Sequence, residues 1–362
     1  MVELRAVKHL EEIEQLVDLF RISFNSNMSP ELWNWKYLQN PLAPAAAEVI
    51  VALDKGKVVG ARPFLLAEMW LDNKRVLTAQ HCNTMVHPGY RNRGIFNRMG
   101  QLAIQYLKEN NYTLSYGFPA LISRPGFLRQ GWRVVAPTET MFRVVHPQKL
   151  ISYKLKNKLL GKGLGFFYDK FLNTKMAESF QPSSAFQVEI FDQFTEELKG
   201  IDNLRDKSAI DLVRSEANLR WRFDRHPEHS YKYILAKRDK KLWGYAVVSV
   251  QEKADGLVYG MITDYLVKNG DIACFQALIK SSLSELEKSE CDIISIWAFS
   301  EPKFREQLLK YLGFKSSIRF PYNRVSYYGY LDALLIDERV AERVNIYDKE
   351  NWRVTYAFLD SA

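Results

Sequence analysis

The chain has 362 residues, of which 47% are hydrophobic and 25% charged, and it carries a formal net charge of +8. This is the composition of an ordinary globular protein, and the length favours two domains over one. Three widely spaced cysteines, Cys82, Cys274 and Cys291, argue against a disulfide framework or a zinc cluster and suit a reducing compartment. No apolar run approaches the roughly 20 residues of a membrane span, and the first residues lack a signal peptide's apolar core. We therefore expect a cytoplasmic protein without a membrane span.

The N-terminal part of the chain alternates between strand and helix patterns. A β-hairpin is predicted around Lys55-Gly56-Lys57, because aliphatic strands flank a turn that contains glycine. Apolar residues at helical spacing, among them Ile95, Met99 and Leu102, predict a helix over 94–109. Strands are predicted over 2–6, 47–54, 58–70, 76–87 and 112–118. This order indicates an α/β sheet with helices on its faces.

The segment from Thr84 to Phe96 predicts an anion site. It reads as the end of an apolar strand, a Pro-Gly turn, a loop with Arg91 and Arg93, and Gly94 at the start of a helix. The arginines supply positive charge, the glycine allows close approach of the main chain, and the helix directs free N–H groups at an anion. Pyrophosphate is the ligand that this combination favours. The structural alternative is a basic loop with a packing glycine.

A lysine-rich stretch follows in the middle of the chain. From Lys149 to Lys175 there are seven lysines and a single acidic residue, Asp169. One interpretation is a surface for nucleic acid, lipid head groups or an acidic substrate. The other is an amphipathic connecting helix with a solvated basic face. The second is favoured because glycines interrupt the stretch and no aromatic RNA-binding signature accompanies it. We therefore expect no nucleic-acid partner.

The second half of the chain repeats the first. The aromatic segment with Trp35 recurs around Trp221, and three further segments recur in the same order. The matching segments are 2–12 with 188–197, 32–41 with 218–227, 54–60 with 238–244, and 127–132 with 309–314. Such self-similarity predicts a duplicated domain. We predict a first domain over 1–147, a basic linker with connecting helices over 148–185, and a second domain over 186–362.

The loop Arg91-Asn-Arg-Gly94-Ile-Phe96 resembles the acetyl-CoA motif of the GCN5-related N-acetyltransferases (GNAT), Gln/Arg-x-x-Gly-x-Gly/Ala. Phe96 replaces the last small residue of that motif. Phe127-x-x-x-Gly131-Trp132 resembles the family's later helix and its exit into the final strands. The duplication resembles the tandem type, such as the enhanced-intracellular-survival and mycothiol-synthase enzymes. The resemblance implies an α/β fold of two tandem GNAT-like domains, each a mixed, mostly antiparallel sheet flanked by helices.

The resemblance also implies an acetyl-CoA site in the first domain. Main-chain N–H groups of the fourth strand would hold the acetyl carbonyl, and the strand would separate from its neighbour so that the pantetheine arm pairs in the gap. The residues implied for acetyl-CoA are Met85, Val86, Arg91, Asn92, Arg93, Gly94, Ile95 and Phe96. In the second copy, Lys268-Asn-Gly-Asp271 offers no arginine pair and no suitably placed glycine, and Asp271 would oppose a phosphate. We therefore expect the second domain to contribute stability and one wall of the substrate cleft.

For the catalytic groups, the resemblance directs attention to the fourth strand and the later helix. His81 is the predicted general base, because an imidazole titrates near neutral pH; an ordinary strand histidine is the alternative. Cys82 is interpreted as an inert packed thiol rather than a nucleophile. The family's acidic tyrosine corresponds to Phe127, so Tyr116 is the predicted substitute. The C-terminal carboxylate of Ala362 or water-mediated proton removal would also serve.

Two further groups carry a structural interpretation. Trp33, Trp35 and Tyr37 could line an acceptor pocket, but their repetition favours a helix packed against the sheet. His226 and His229 have no carboxylate-rich surroundings, so no metal site is expected there. The predicted function is acetyl-CoA-dependent transfer of an acetyl group to a primary amine of a small molecule or protein. The alternatives are a catalytically silent acetyl-CoA sensor and a FemAB-like aminoacyl or peptidyl transferase.

Overall fold

A computed structural model describes residues 2–7, 13–43, 49–155, 185–207, 209–253, 256–299, 301–318, 329–340 and 342–360. Most of the predicted lysine-rich stretch, 156–184, lies outside these residues. Within them, no helix has the length and hydropathy needed to cross a membrane. The described chain forms two mixed sheets with helices packed on them, which confirms the predicted fold class.

Sixteen strands are labelled in chain order. In the N-terminal half they are β1 Glu3–Val7, β2 Val49–Asp54, β3 Lys57–Leu71, β4 Lys74–His81, β5 Met85–Val86, β6 Leu114–Gly117, β7 Arg133–Pro137 and β8 Thr140–Val144. In the C-terminal half they are β9 Gln187–Phe191, β10 Asp211–Leu212, β11 Tyr231–Arg238, β12 Lys241–Glu252, β13 Val258–Val267, β14 Ile293–Trp297, β15 Lys315–Ser316 and β16 Tyr330–Leu335.

The helices alternate with these strands. They are α1 Ile13–Phe24, α2 Pro30–Tyr37, α3 Ile95–Glu109, α4 Arg124–Arg129, α5 Pro147–Leu155, α6 Glu216–Leu219, α7 Ile272–Glu287 and α8 Lys303–Tyr311. Local sequence explains several of their ends. Ser29 caps α2 by accepting a hydrogen bond from Leu32 N, with Pro30 in the first turn. The β2–β3 hairpin turns through Lys55 and Gly56, both at positive φ, as a two-residue hairpin turn requires.

The two sheets have the same strand order, built from equivalent strands. The first runs β1-β2-β3-β4-β6-β16-β7, with β5 and β10 also paired to β3. The second runs β9-β11-β12-β13-β14-β8-β15. In each, one central pair is parallel, β4 with β6 and β13 with β14, and the other described pairs are antiparallel. The predicted duplication is therefore confirmed at the level of topology.

Besides β10, which pairs with β3 in the first sheet, each sheet receives one further strand from the other half of the chain. β8 follows β7 in sequence but pairs with β14 and β15 in the second sheet. β16 follows β15 but pairs with β6 and β7 in the first sheet. The predicted domain boundaries therefore describe the order of the sheets along the chain and not which strands each sheet contains.

The repeated tryptophans meet at the contact between the two copies. Trp35 Nε1 donates to Trp221 O, and Trp221 Nε1 donates to Trp35 O, both at 2.8 Å. Their rings stack with centroids 4.9 Å apart. This reciprocal contact is what two equivalent positions make across a local twofold axis. The structural role predicted for this aromatic segment was the packing of a helix on its own sheet. The segment also forms the contact between the two copies.

A shared core joins the two sheets. It contains side chains of the first sheet such as Met69 and Tyr116, side chains of the second such as Tyr233 and Tyr245, and the C-terminal segment with Phe358. Separate apolar clusters fill the space under α1 and α2, under α3, and under α7. The C-terminal segment therefore lies between the two halves, next to the end of β6.

Candidate active site

The predicted anion loop lies between β5 and α3. β5 pairs only with β3, through Met85 with Ala61 and Val86 with Gly60. A short turn of 3-10 helix, Pro88–Tyr90, follows, and Asn92 and Gly94 then adopt positive φ values of 62° and 73°. Gly94 occupies the N-cap position of α3, and no side chain caps this helix. The first N–H groups of α3 are therefore available to an anion.

The two arginines of this loop place two positive charges before the start of α3. Arg91 and Arg93 are both exposed, and within the described residues neither forms an ion pair with a carboxylate. Arg91 Nε and Nη2 each lie 3.4 Å from a main-chain oxygen, those of Val86 and Ser23. The Arg93 guanidinium lies 4.9 Å from the ring centroid of Tyr90. The loop thus presents two cations that form no ion pair with a described carboxylate.

The pairing of the fourth strand with its neighbour ends beside this loop. β4 is paired with β6 through Thr78, Ala79 and Gln80, and the pairing stops there. A break at 82–84, where Asn83 has a φ of 49°, divides the predicted strand 76–87 into β4 and β5. Gly117 fits where β6 passes close to the end of β4, since a Cβ there would lie 3.0 Å from His81 O. The described pairing of the fourth strand with β6 thus ends before Met85 and Val86, which pair with β3, and the predicted separation of the strands stays a prediction.

The equivalent helix of the second copy, α7, begins with an acidic side chain. Asp271 is the N-cap of α7 and accepts hydrogen bonds from Ala273 N at 2.9 Å and Cys274 N at 3.0 Å. Its other oxygen accepts from Trp243 Nε1 at 3.0 Å. Burial opposes the charge, but these hydrogen bonds lower the pKa of the Asp271 carboxyl below its ordinary value. The carboxylate occupies the position where α3 offers free N–H groups.

The second loop also contains left-handed residues, with Gly270 at a φ of 69° and Asn269 at a φ of 50°. Gly270 lies one residue before the helix start, however, and Asp271 occupies the N-cap position that Gly94 holds in the first copy. The two helix starts therefore differ both in the N-cap residue and in charge.

His81, the predicted general base, lies on β4 under the α3–α4 side of the sheet. Its ring contacts Phe64, Phe127 and Trp132, and only 6% of the residue is exposed. His81 Nδ1 accepts a hydrogen bond from Arg62 Nε at 2.6 Å. Burial, and then the Arg62 charge, hold the pKa of His81 well below its ordinary value. This environment argues against proton uptake by His81 near neutral pH, so its role as a base stays an unsupported prediction.

Tyr116, the predicted acid, is the residue before the last in β6 and faces the C-terminal segment. Its ring lies 6.0 Å from that of Phe358, and its hydroxyl has no hydrogen-bond partner within the described residues. Burial raises the pKa of Tyr116 above its ordinary value, so the phenol keeps its proton. Tyr116 and His81 lie on neighbouring strands, but their side chains belong to different environments. The structure does not bring the two predicted catalytic groups together.

Cys82 lies nearby in a sealed environment. Its Sγ is 3.2 Å from Tyr37 Oη, and Tyr37 Oη also donates to Asn83 Oδ1 at 2.7 Å. Burial, followed by the charge of Asp360, raises the pKa of Cys82 to about 12. A thiol in this state is a poor nucleophile, which agrees with the interpretation as an inert packed side chain.

The sequence did not predict how the C-terminal segment is held. Lys36 Nζ forms an ion pair with Asp360 at 2.9 Å, and Arg222 Nη1 donates to Leu359 O at 2.9 Å. Lys36 and Arg222 each follow a tryptophan of the stacked pair, so they are equivalent in the two copies. The equivalent positions of Lys36 and Arg222 were the signal in the sequence that could have indicated a common role. Ala362 lies outside the described residues.

The described residues contain no group of three or more histidine, cysteine and acidic side chains arranged to hold a metal ion. His226 Nδ1 accepts hydrogen bonds from the N–H groups of Glu228 and His229, at 3.2 and 3.1 Å. The His226 ring also lies 4.3 Å from that of Trp35. These histidines therefore belong to the packing around the contact between copies.

Comparison with known proteins bears on both halves. Residues 3–135 match the family described as acetyltransferase (GNAT) domain. No curated protein matches the sequence. A GCN5-related N-acetyltransferase from Anabaena variabilis has a similar structure, with a TM-score of 0.64 and 14% identity, over 94% of this chain and 74% of that one.

Two further solved structures are similar over nearly the whole chain. One is a tandem GNAT protein from the clavulanic acid biosynthesis pathway, with a TM-score of 0.54, 14% identity, and coverage of 93% of this chain and 99% of that one. The other is Eis1 from Mycobacterium abscessus, also at 0.54 and 14%, over 94% of this chain and 75% of that one. At these identities the likeness concerns the fold. Residues 3–135 thus match the acetyltransferase (GNAT) domain family, and the described chain has the fold of a tandem GNAT protein.

Proposed function

We propose that the chain is an acetyl-CoA-dependent N-acetyltransferase that moves an acetyl group directly to a primary amine. The observation that carries this proposal is the start of α3. Two arginines that form no ion pair with a described carboxylate lie beside a helix end without a side-chain cap, and Gly94 keeps the main chain accessible. The equivalent helix end in the second copy is closed by Asp271. This contrast supports one donor site, located in the first domain.

The roles of the site residues follow from their positions. Arg91, Arg93 and the first N–H groups of α3, from Ile95 and Phe96, would hold the donor's pyrophosphate. Asn92 and Gly94 give the loop its left-handed turns. Met85 and Val86 lie at the edge of the predicted strand gap, where a main-chain N–H can polarise the acetyl carbonyl. Acetyl-CoA supplies the activated acyl group, and no metal is required for this chemistry.

The transfer itself needs few protein groups. The amine nitrogen forms a bond to the acetyl carbon as the carbon–sulfur bond breaks, and the electron pair of that bond stays on sulfur. The nitrogen then loses a proton. Because His81 is buried and weakly basic, we propose that water accepts this proton. Tyr116 stays a neutral phenol, and we propose that its hydroxyl donates a hydrogen bond near the end of β6.

Calorimetry of acetyl-CoA binding tests the donor site. Arg93→Ala and Arg91→Ala should each weaken binding by on the order of tenfold or more, because each removes a charge-assisted contact. Lys268→Ala is the matched control, since Lys268 lies in the equivalent loop of the second copy, and it should leave the affinity unchanged. No binding of acetyl-CoA to the wild type would refute the proposal.

Release of free CoA thiol in the presence of a panel of primary amines tests the transfer. Turnover with at least one amine is expected. Binding without transfer across the panel would favour the acetyl-CoA sensor, for which the phenylalanine at position 127 provides the structural argument. The FemAB-like alternative predicts activity with aminoacyl-tRNA and no dependence on Arg93.

A further inference from the structure

Arg62 is a buried cation that has no acidic partner among the described residues. It lies on β3 and is completely shielded from solvent. Its Nε donates to His81 Nδ1 at 2.6 Å and its Nη1 to Gln130 Oε1 at 3.0 Å, whereas Nη2 has no partner within the described residues. Burial lowers the pKa of Arg62 to about 9, so the group remains charged at neutral pH. Burying an unpaired charge is costly, and proteins avoid it unless it has a use.

His81 adds a second donor to the same place. Because Nδ1 accepts from Arg62, the proton of the neutral imidazole lies on Nε2. His81 Nε2 is buried and has no hydrogen-bond partner within the part of the chain that the structure covers. Two neighbouring N–H donors, Arg62 Nη2 and His81 Nε2, therefore lack acceptors. Unpartnered buried donors of this kind are rare in folded proteins and call for an explanation.

This pair adjoins the donor loop. The Arg62 guanidinium carbon lies 5.5 Å from the ring centroid of Phe96, in the first turn of α3, and 4.6 Å from that of Phe127 in α4. Phe96 is half-buried and reaches α4 at Gly126, where a Cβ would lie only 2.5 Å from the Phe96 ring. The Phe96 ring thus lies over the charge and belongs to the loop that is proposed to bind acetyl-CoA.

We propose that Arg62 and His81 form a cationic subsite for the sulfur end of the donor, which opens when the Phe96 ring moves aside. This inference rests on the proposed function. When the carbon–sulfur bond breaks, the electron pair remains on sulfur, and the leaving thiolate is stabilised by Arg62, which stays protonated. The amine proton passes to water, so the subsite supplies charge and exchanges no proton. It thereby takes the place of a hydroxyl donor at position 127.

Arg62→Met and Arg62→Lys separate this role from a structural one. Methionine keeps an unbranched side chain but removes the charge, and lysine keeps the charge. Calorimetry gives the affinities for CoA and for desulfo-CoA, which lacks the sulfur, and their ratio measures the contribution of the contact with the sulfur. We expect Arg62→Met to bind CoA on the order of tenfold more weakly than the wild type and desulfo-CoA almost equally well. Arg62→Lys should retain part of the preference for CoA.

Two further measurements complete the test. The thiolate absorbance of bound CoA should develop at lower pH in the wild type than in Arg62→Met, because the cation favours the thiolate. Without ligand, Arg62→Met should melt at or above the wild-type temperature, because it removes an unpaired buried charge. A lower melting temperature together with an unchanged ratio of CoA to desulfo-CoA affinity would overturn the proposal and leave Arg62 a packing residue.

These experiments distinguish failure of this inference from failure of the proposed function. If the wild type binds neither CoA nor acetyl-CoA, the donor site itself is refuted. If it binds both, and Arg93→Ala weakens CoA and desulfo-CoA equally while Arg62→Met has no effect on either, the pyrophosphate site stands and the sulfur subsite is refuted.

Discussion

The helix after the fourth strand begins differently in the two copies of the domain. α3 starts at Gly94 without a side-chain cap and with two exposed arginines before it, whereas α7 starts at Asp271, whose carboxylate accepts two of the first N–H groups. Both loops contain an asparagine and a glycine at positive φ. The comparison separates two requirements: the fold needs the left-handed residues, and an anionic ligand needs the positive charge and the open helix end.

The contact that holds the copies together gives the largest expected effect. Trp35→Ala and Trp221→Ala each remove a buried indole and leave a carbonyl of the partner segment without its donor. We expect each variant to lower the free energy of unfolding by about 3 to 5 kcal/mol. The two losses should be similar, because the positions are equivalent. Urea denaturation of both variants checks this, and a loss seen in only one of them would contradict the equivalence.

Transferring the second copy's charge to the first should strongly weaken acetyl-CoA binding. Gly94→Asp places a carboxylate at the start of α3, as Asp271 does at α7, and should weaken acetyl-CoA binding by about 100-fold. Gly94→Asn is the matched control, because asparagine tolerates positive φ and adds no charge. Calorimetry should give the asparagine variant most of the wild-type affinity. Equal losses in the two variants would mean that the backbone, and not the charge, decides binding.

The reverse change in the second copy should affect stability alone. Asp271→Ala removes the cap of α7 and should cost about 1 kcal/mol of unfolding free energy at neutral pH. Because hydrogen bonds lower the folded-state pKa of Asp271, the charge-dependent part of this contribution is present above the unfolded-state pKa of about 3.9. It is lost as the pH falls through the lower folded-state value. Denaturation at several pH values checks this, and any change in acetyl-CoA affinity would contradict a single donor site.

Much of this arrangement could be predicted from the sequence because it depends on local sequence patterns. The hairpin at Lys55-Gly56, the helix 95–109 and the left-handed loop around Gly94 depend on residues close together in the chain. The duplication was visible for the same reason, since equivalent segments repeat the same local requirements. The resemblance to the GNAT family then led to the proposal that this loop binds the donor.

The parts that escaped prediction depend on distant partners. The pattern of β8 suits either sheet, so nothing local shows that it pairs with β14 in the other half. Arg62 lies in an apolar strand, and its charge was the one available signal of a special position. His81 was interpreted as a base because its residue type suggested it, whereas its protonation is set by the neighbouring Arg62 and by burial.

The exchanged strands set an order for folding during synthesis. In the first sheet, the place between β6 and β7 is filled by β16, residues Tyr330–Leu335. While the ribosome is still making the second half, both of those strands have an unpaired edge, which invites association with other chains. The first sheet is therefore completed only after residues 330–335 have been made, and a ribosome that stalls before them leaves a first sheet that is open between β6 and β7.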